Sequence, residues 1–266
     1  MRNRYQLAIR AARAAGKILR AKFYETRTVK SKGKRDIVTD ADFTADHALR
    51  EIIHARFPRD QFLSEEDAAA TREKLWANAR VANGDYLWIA DPLDGTTNYA
   101  RRVPVFCTSL ALYHAGAIQV GAIYDPLRDE MFSAERGRGA FLNGKSIRVS
   151  ATHKFIDAVV GAEWSRDEKL RARAAKIFGA MLMDAMTGRA LGSAALTLCY
   201  IAAGRMDGYV HLSLAPWDIA AAALIVEEAS GKITTPTGAR WDVHSRAYVA
   251  SNGLFHRKLL AYIKKG

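Results

Sequence analysis

Four acidic stations in this 266-residue chain sit where carboxylates could do chemistry, and the densest is Trp88-Ile-Ala-Asp-Pro-Leu-Asp-Gly-Thr-Thr-Asn98. An apolar run from Tyr86 to Ala90 leads into Asp91 and Asp94 and reads as a buried strand. Pro92 stiffens the backbone between the two acids, and Gly95 releases it into Thr96, Thr97 and Asn98, residue types that begin helices. Acids at a strand end offer oxygen ligands to a hard cation, while the N–H groups of a helix start offer donors to an anion. Those are the needs of a metal-bridged phosphate. An isolated Asp-x-x-Asp-Gly is more often an acidic turn, but the other stations, Asp42, Glu65 with Glu66, and Asp218 after Pro216-Trp217, weigh against that here. Carboxylates gathered without a cation repel one another, and divalent ions remove the cost. Magnesium suits such a set, because it takes one or two carboxylates, waters and phosphate oxygens.

The elements around these stations follow from periodicity. Residues 1–24 hold no acid and repeat Leu7, Ala11, Ala15, Ile18 and Leu19 at helical spacing, which predicts an amphipathic helix rather than an Arg-rich transit peptide. Val29–Arg35 reads as a basic loop. Asp36-Ile-Val-Thr-Asp-Ala-Asp42 opens a second helix running to about Phe57, with Phe43, Leu49 and Ile53 inward. Thr39 is its expected N-cap, placing Asp42 at the third helical position. If Asp42 only favours the helix dipole, it is worth roughly 0.3–1 kcal/mol. Phe62–Asp67 is a brief strand entering an acidic patch, and a polar helical stretch reaches Gly84.

Beyond the central motif, short strands from Phe106 to Val149 alternate with turns such as Asn143-Gly144, an antiparallel meander. The remainder mixes strands at 158–162, 208–212, 232–234 and 248–250 with helices at 167–183, 193–203, 217–230 and from Leu254. Two tightly joined α+β halves, 1–150 and 151–266, are the expected organisation.

Composition bounds the class. An apolar fraction of 49% and a charged fraction of 26% are those of ordinary globular proteins, and the longest apolar run, Ile219 to Val226, is far too short to cross a membrane. Cys107 and Cys199 share no metal spacing and read as buried thiols in a reducing cytoplasm. Scattered histidines argue against zinc. The net charge of +12 reads first as a solvated face, then as a preference for an anionic small substrate, and last as contact with nucleic acid.

The chain resembles the inositol monophosphatase family of magnesium-dependent, lithium-sensitive phosphatases. Trp88 to Arg101 matches the family's first signature, and Trp217 to Gly231 its second, with Ser230 where glycine is usual. Asp36–Asp42, Ser64-Glu-Glu66 and Arg189-Ala-Leu-Gly-Ser-Ala-Ala195 fall in the family's order. The resemblance implies a layered αβαβα sandwich of the sugar-phosphatase type, a homodimer, and two or three Mg²⁺ ions. Glu65, Asp91 and the Leu93 carbonyl would hold one ion, and Asp91, Asp94 and Asp218 a second. Thr96, bonded to Asp42, would orient and deprotonate the attacking water, with Glu65 assisting. Gly95 and Thr96 would hold the phosphate.

Substrate choice within that family is set elsewhere. The resemblance places Gly192, Ser193 and Ala194 at the sugar ring, and Asp218 beside it. A glutamate seven residues before Asp218 would bind inositol hydroxyls, but His211 stands there. A histidine there accepts one bond when neutral, or donates two and carries positive charge near its unperturbed pKa of about 6.5. With Arg189 nearby, the pocket would then tolerate extra negative charge. The alternative is that His211 packs on its strand with the ring turned away. Besides inositol monophosphate, the family hydrolyses fructose 1,6-bisphosphate, histidinol phosphate, 3′-phosphoadenosine 5′-phosphate and NADP. Some bacterial relatives associate with transcription machinery.

Overall fold

The acid-free N-terminal segment folds as α1 (Arg2–Lys22), which buries Leu7, Ala11, Ala15 and Leu19. The computed structural model describes residues 1–73 and 85–265, so the helical stretch expected toward Gly84 lies outside the described residues from 74 onward. Where a basic loop was expected, β1 (Val29–Gly33) pairs antiparallel with β2 (Asp36–Thr39). All five β1 residues are exposed, so no apolar alternation announces the hairpin. The second helix starts where Thr39 was expected to cap it, as α2 (Asp40–Arg56), so the preceding Asp36–Thr39 is strand rather than helix opening, and Phe43 is exposed rather than inward.

Strands β3 (Gln61–Ser64) and β4 (Leu87–Asp94) run parallel, then α3 (Thr96–Ala100) intervenes. The meander follows as β5 (Cys107–His114), β6 (Ala117–Asp125), β7 (Glu130–Glu135), β8 (Ala140–Leu142) and β9 (Lys145–Ser146). Strands β3 to β9 form one seven-stranded sheet in sequence order. The later elements are β10 (Val159–Ala162), α4 (Glu168–Asp184), β11 (Thr187–Arg189), α5 (Ala194–Ala202), β12 (Gly208–His211), α6 (Pro216–Glu228), β13 (Lys232–Thr234), β14 (Tyr248–Ser251) and α7 (His256–Lys265). Their five-stranded sheet has the order β11-β10-β12-β14-β13. Sequence reading missed β11, which is three residues long and contains Gly188.

Three apolar cores stack these elements. Leu19, Leu49, Trp88 and Leu112 join α1 and α2 to the outer face of the first sheet. Ile89, Phe132, Leu198, Leu224 and Tyr248 pack α5 and α6 between the two sheets. Val160, Ile177, Val249 and Leu259 join α4 and α7 to the far face of the second sheet. The result is an αβαβα sandwich whose central helix, α6, is buried from Ile219 to Val226. A helix apolar on every side is stable only with protein on every side, which explains the featureless apolar run in the sequence. Ser230, just past that helix, adopts φ 67°, the left-handed conformation that glycine takes without a Cβ penalty.

Candidate metal and phosphate site

The two acids of the central motif share a face because of a bulge. Leu87 and Ile89 point toward α6, while Trp88 and Ala90 point to the outer core, as strand alternation demands. Asp91 keeps that inner parity, but Asp94, three residues on, would fall on the opposite face. The register with β5 pairs Asp91 with Ser109 and Asp94 with Cys107, so β4 carries one extra residue there. The bulge restores Asp94 to the inner side and turns Leu93 outward. Pro92, which has no N–H to leave unpaired, sits in it, and its carbonyl accepts from Thr108 Oγ1 at 3.0 Å.

Three elements then converge on Asp91. Ser64 pairs with Ala90 in the parallel β3–β4 ladder, so Glu65 emerges beside Asp91. Helix α6 is tied to β5 by Ser109 Oγ donating to the Trp217 carbonyl at 3.4 Å, directly opposite Asp91. Asp218 stands at the third position of α6, its Oδ2 accepting from Ala215 N at 2.7 Å. Oxygens of Glu65, Asp91 and Asp218 consequently lie within 4.8 Å of one another. Burial first, and then the neighbouring Glu65, raises Asp91 and Asp218 well above the usual carboxylate range. Such a group is costly unless a cation joins it, and an all-oxygen donor set suits Mg²⁺.

Asp94 lies beside this trio but is held differently. Its Oδ2 accepts from Ser193 Oγ at 2.5 Å, Ala195 N at 2.9 Å and Cys107 Sγ at 3.7 Å. Ser193 was expected at the sugar ring; instead it is buried, orienting Asp94 while capping α5 through Leu196 N. Gly192 N donates to Glu163 Oε1 at 3.0 Å, and Ala194 lines the cavity.

Asp42 faces the site from α2. Its Oδ2 accepts from Thr39 N at 2.8 Å and Thr39 Oγ1 at 2.6 Å, the reciprocal cap of that helix. Oδ1 stands 3.3 Å from Thr96 Oγ1, which also lies 3.0 Å from the Leu93 carbonyl. Burial raises Asp42 to about 6 against those Thr39 bonds. Gly95, with φ 93°, caps α3 and exposes the N–H groups of its first turn. A pocket of about 230 Å³ brings Glu65, Asp91, Leu93, Asp94, Gly95, Thr96 and Asp218 together.

A larger cavity, about 1130 Å³, continues from Glu65, Asp94 and Asp218 to His211 and Arg246. His211 is buried, and burial pushes it down to about 4, so of its two expected forms the neutral ring is favoured at neutral pH. Arg189 is absent from the cavity lining. Its guanidinium folds back onto Thr187 Oγ1 and the Gly188 carbonyl on edge strand β11. Glu163, which sequence reading missed, lines this cavity, and burial followed by the Asp94 charge raises it to about 7. Only its place after β10 marks it, and a short strand with no flanking motif carries no such signal.

The class is that of an αβαβα sandwich with a buried all-oxygen donor set able to hold a cation between its two sheets and a helix start beside it. The inositol monophosphatase family model matches residues 1–265. Inositol monophosphatase 2 of Solanum lycopersicum is 38% identical, with 92% of each chain covered. Nus factor SuhB of Escherichia coli strain K12 is 35% identical over 97% of this chain and 94% of its own. The solved structure of Thermotoga maritima IMPase superposes with TM-score 0.88 at 33% identity, covering 99% of this chain and 97% of that one. An IMPase/NADP phosphatase solved with Mg²⁺ and phosphate superposes with TM-score 0.79 at 25% identity, over 92% and 89%. The chain belongs to the inositol monophosphatase family.

Proposed function

We propose that this protein is a Mg²⁺-dependent phosphomonoesterase acting on inositol monophosphate or a related sugar phosphate. The observation that carries the reading is the Glu65–Asp91–Asp218 trio beside Thr96 and its Asp42 partner. Glu65, Asp91, Asp218, Asp94 and the Leu93 carbonyl would hold two or three ions. When bound, Mg²⁺ supplies positive charge to the phosphate and acidifies water. The chain's own residues do the rest. Thr96 Oγ1 orients the nucleophilic water, and Asp42 takes up the proton through it. The N–H groups of Gly95 and Thr96 position the phosphate, which Gly192 and Ala194 enclose with the sugar. Ser193 acts through Asp94.

Chelation is the direct test. Phosphate release from inositol 1-phosphate should require Mg²⁺ and fall with lithium. Asp94→Asn should remove most turnover while leaving the melting temperature near that of the wild type. Full activity in excess chelator would end the reading.

A cytoplasmic homodimer is part of the same proposal. The exposed Leu182, Met183 and Met186 at the end of α4 support a second copy, and two free buried thiols fit a reducing compartment. No helix among the described residues is long and apolar enough to cross a membrane. A role with transcription machinery, suggested by the SuhB relative, would be an addition to catalysis that the net charge of +12 supports. The fructose 1,6-bisphosphate, histidinol phosphate and nucleotide readings use the same metal centre and differ only in the distal cavity.

A further inference from the structure

Glu65 and Asp218 reach Asp91 from different elements, Glu65 from the turn after β3 and Asp218 from the start of α6. The turn is tied to its own layer. Glu65 N donates to the Ala90 carbonyl at 3.1 Å, and Ser64 N to Asp67 Oδ2 at 2.9 Å. Asp67 Oδ1 accepts from Arg50 of α2 at 2.8 Å, and the Arg50 guanidinium stands 4.6 Å from the centre of the Phe62 ring. The start of α6 is tied to β5 by the bond from Ser109 to the Trp217 carbonyl. None of these contacts joins the Glu65 turn to α6, although the carboxylates on the two repel one another within 4.8 Å.

Arg72 makes that join. Its backbone N–H donates to the Ala68 carbonyl at 3.0 Å, and this helical turn brings the side chain back over the Glu65 segment. Arg72 Nη1 donates to the Glu65 carbonyl at 2.7 Å, while its Cζ stands 5.2 Å from the centre of the Trp217 ring. Trp217 immediately precedes Asp218. One guanidinium therefore holds the backbone of one acidic residue and the neighbour of another. Its planar shape suits the task, since the N–H groups donate at the edge while the face is free to meet an aromatic ring. Among the described residues, no other hydrogen bond, ion pair or ring contact links residues 64–67 to α6.

We propose that Arg72 is a positioning residue for the cation site: it braces the Glu65 turn against the start of α6 and so keeps Glu65 and Asp218 at bridging distance around Asp91. The inference rests on the metal-dependent reading above and deepens it. Two acids that repel one another relax apart unless something outside the pair fixes their backbones, and a cation then binds a wider, less complete set of oxygens. The brace belongs to the apo chain, so its worth appears in how tightly the ion is taken up rather than in the chemistry that follows.

The test is calorimetric titration of Mg²⁺ into the wild type, Arg72→Ala, Trp217→Leu and the double variant. Each single substitution should raise the Kd for Mg²⁺ by about fivefold or more, the size of one good hydrogen bond. Because both break one contact, the double variant should lose clearly less than the product of the two single losses. Saturating Mg²⁺ should restore turnover of inositol 1-phosphate in Arg72→Ala with KM unchanged, which a damaged fold would not allow. Trp217→Leu cuts the brace from its other end, so the test stands even if Arg72→Ala does not fold. An unchanged Kd in either single variant, or losses that multiply in the double, overturns the brace. So does a raised KM at saturating Mg²⁺ with wild-type Kd, since Arg72 lines the large cavity and would then be touching substrate. Failure of the wild type to bind Mg²⁺ at all would instead remove the metal reading beneath it.

Discussion

Asp42 shows how two bonds on one carboxylate oxygen fix the direction of the other. Thr39 holds Oδ2 through its N–H and its hydroxyl, which fixes the rotamer and aims Oδ1 at Thr96, 3.3 Å away. Burial raises the group to about 6, close enough to neutrality for it to take and return a proton. Asp42→Asn keeps the size of the side chain but loses proton affinity. It should lower kcat by about 10²-fold or more with little change in KM. Unaltered turnover with a lower melting temperature would make Asp42 a helix cap and nothing more.

At the scale of elements, the site depends on how closely α6 approaches the first sheet. Ala220 to Ala223 are fully buried along that helix, and Gly121 of β6 faces it. A Cβ at Gly121 would stand 2.6 Å from the Ala221 carbonyl oxygen, which is backbone and cannot swing aside. Gly121→Ala should therefore cost about 1–3 kcal/mol in a denaturant melt, the range for overpacking a core. Because the same shift would move Asp218 away from Glu65 and Asp91, Mg²⁺ affinity should fall in parallel, as calorimetric titration would report. Wild-type stability and Mg²⁺ affinity in this variant would mean that the approach of α6 is not what sets the trio.

For the whole molecule, the buried acids make the metal-free chain sensitive to pH. Asp91 and Asp218 are held well above the usual carboxylate range, and Glu163 at about 7, all chiefly by burial. Each binds its proton more tightly folded than unfolded, so its stabilising contribution is complete at low pH and is lost as pH rises through the folded value. His211 and His256, lowered by burial to about 4, act in the opposite sense, but only below their unfolded value of about 6.5. Between pH 6.5 and 8 the acids therefore decide the slope. The melting temperature in chelator should fall across that window, and Mg²⁺ should abolish most of the fall. A flat profile in chelator would show that the acids are not strained without a cation.

Much of this was legible in the chain itself. The acidic stations, the Thr39 cap with Asp42 three residues on, and the meander turns all follow from local spacing, because caps, turns and strand alternation are short-range chemistry. The resemblance in order and spacing of the motifs carried the family. What sequence left open depends on which residues strand pairing makes neighbours. Strand β1 is exposed along its whole length and carries no apolar period, and β11 is too short for one. Ser193 was expected to face the sugar, but the approach of α5 to β4 turns its hydroxyl onto Asp94. Local spacing leaves His211 open between a neutral ring and a positive charge helped by Arg189. Burial keeps the His211 ring neutral, and the strand order places Arg189 beyond β10, while the β12–β14 register brings Arg246 to the cavity instead. Local chemistry is written residue by residue, whereas the neighbour across a sheet or a helix seam exists only once the layers have packed.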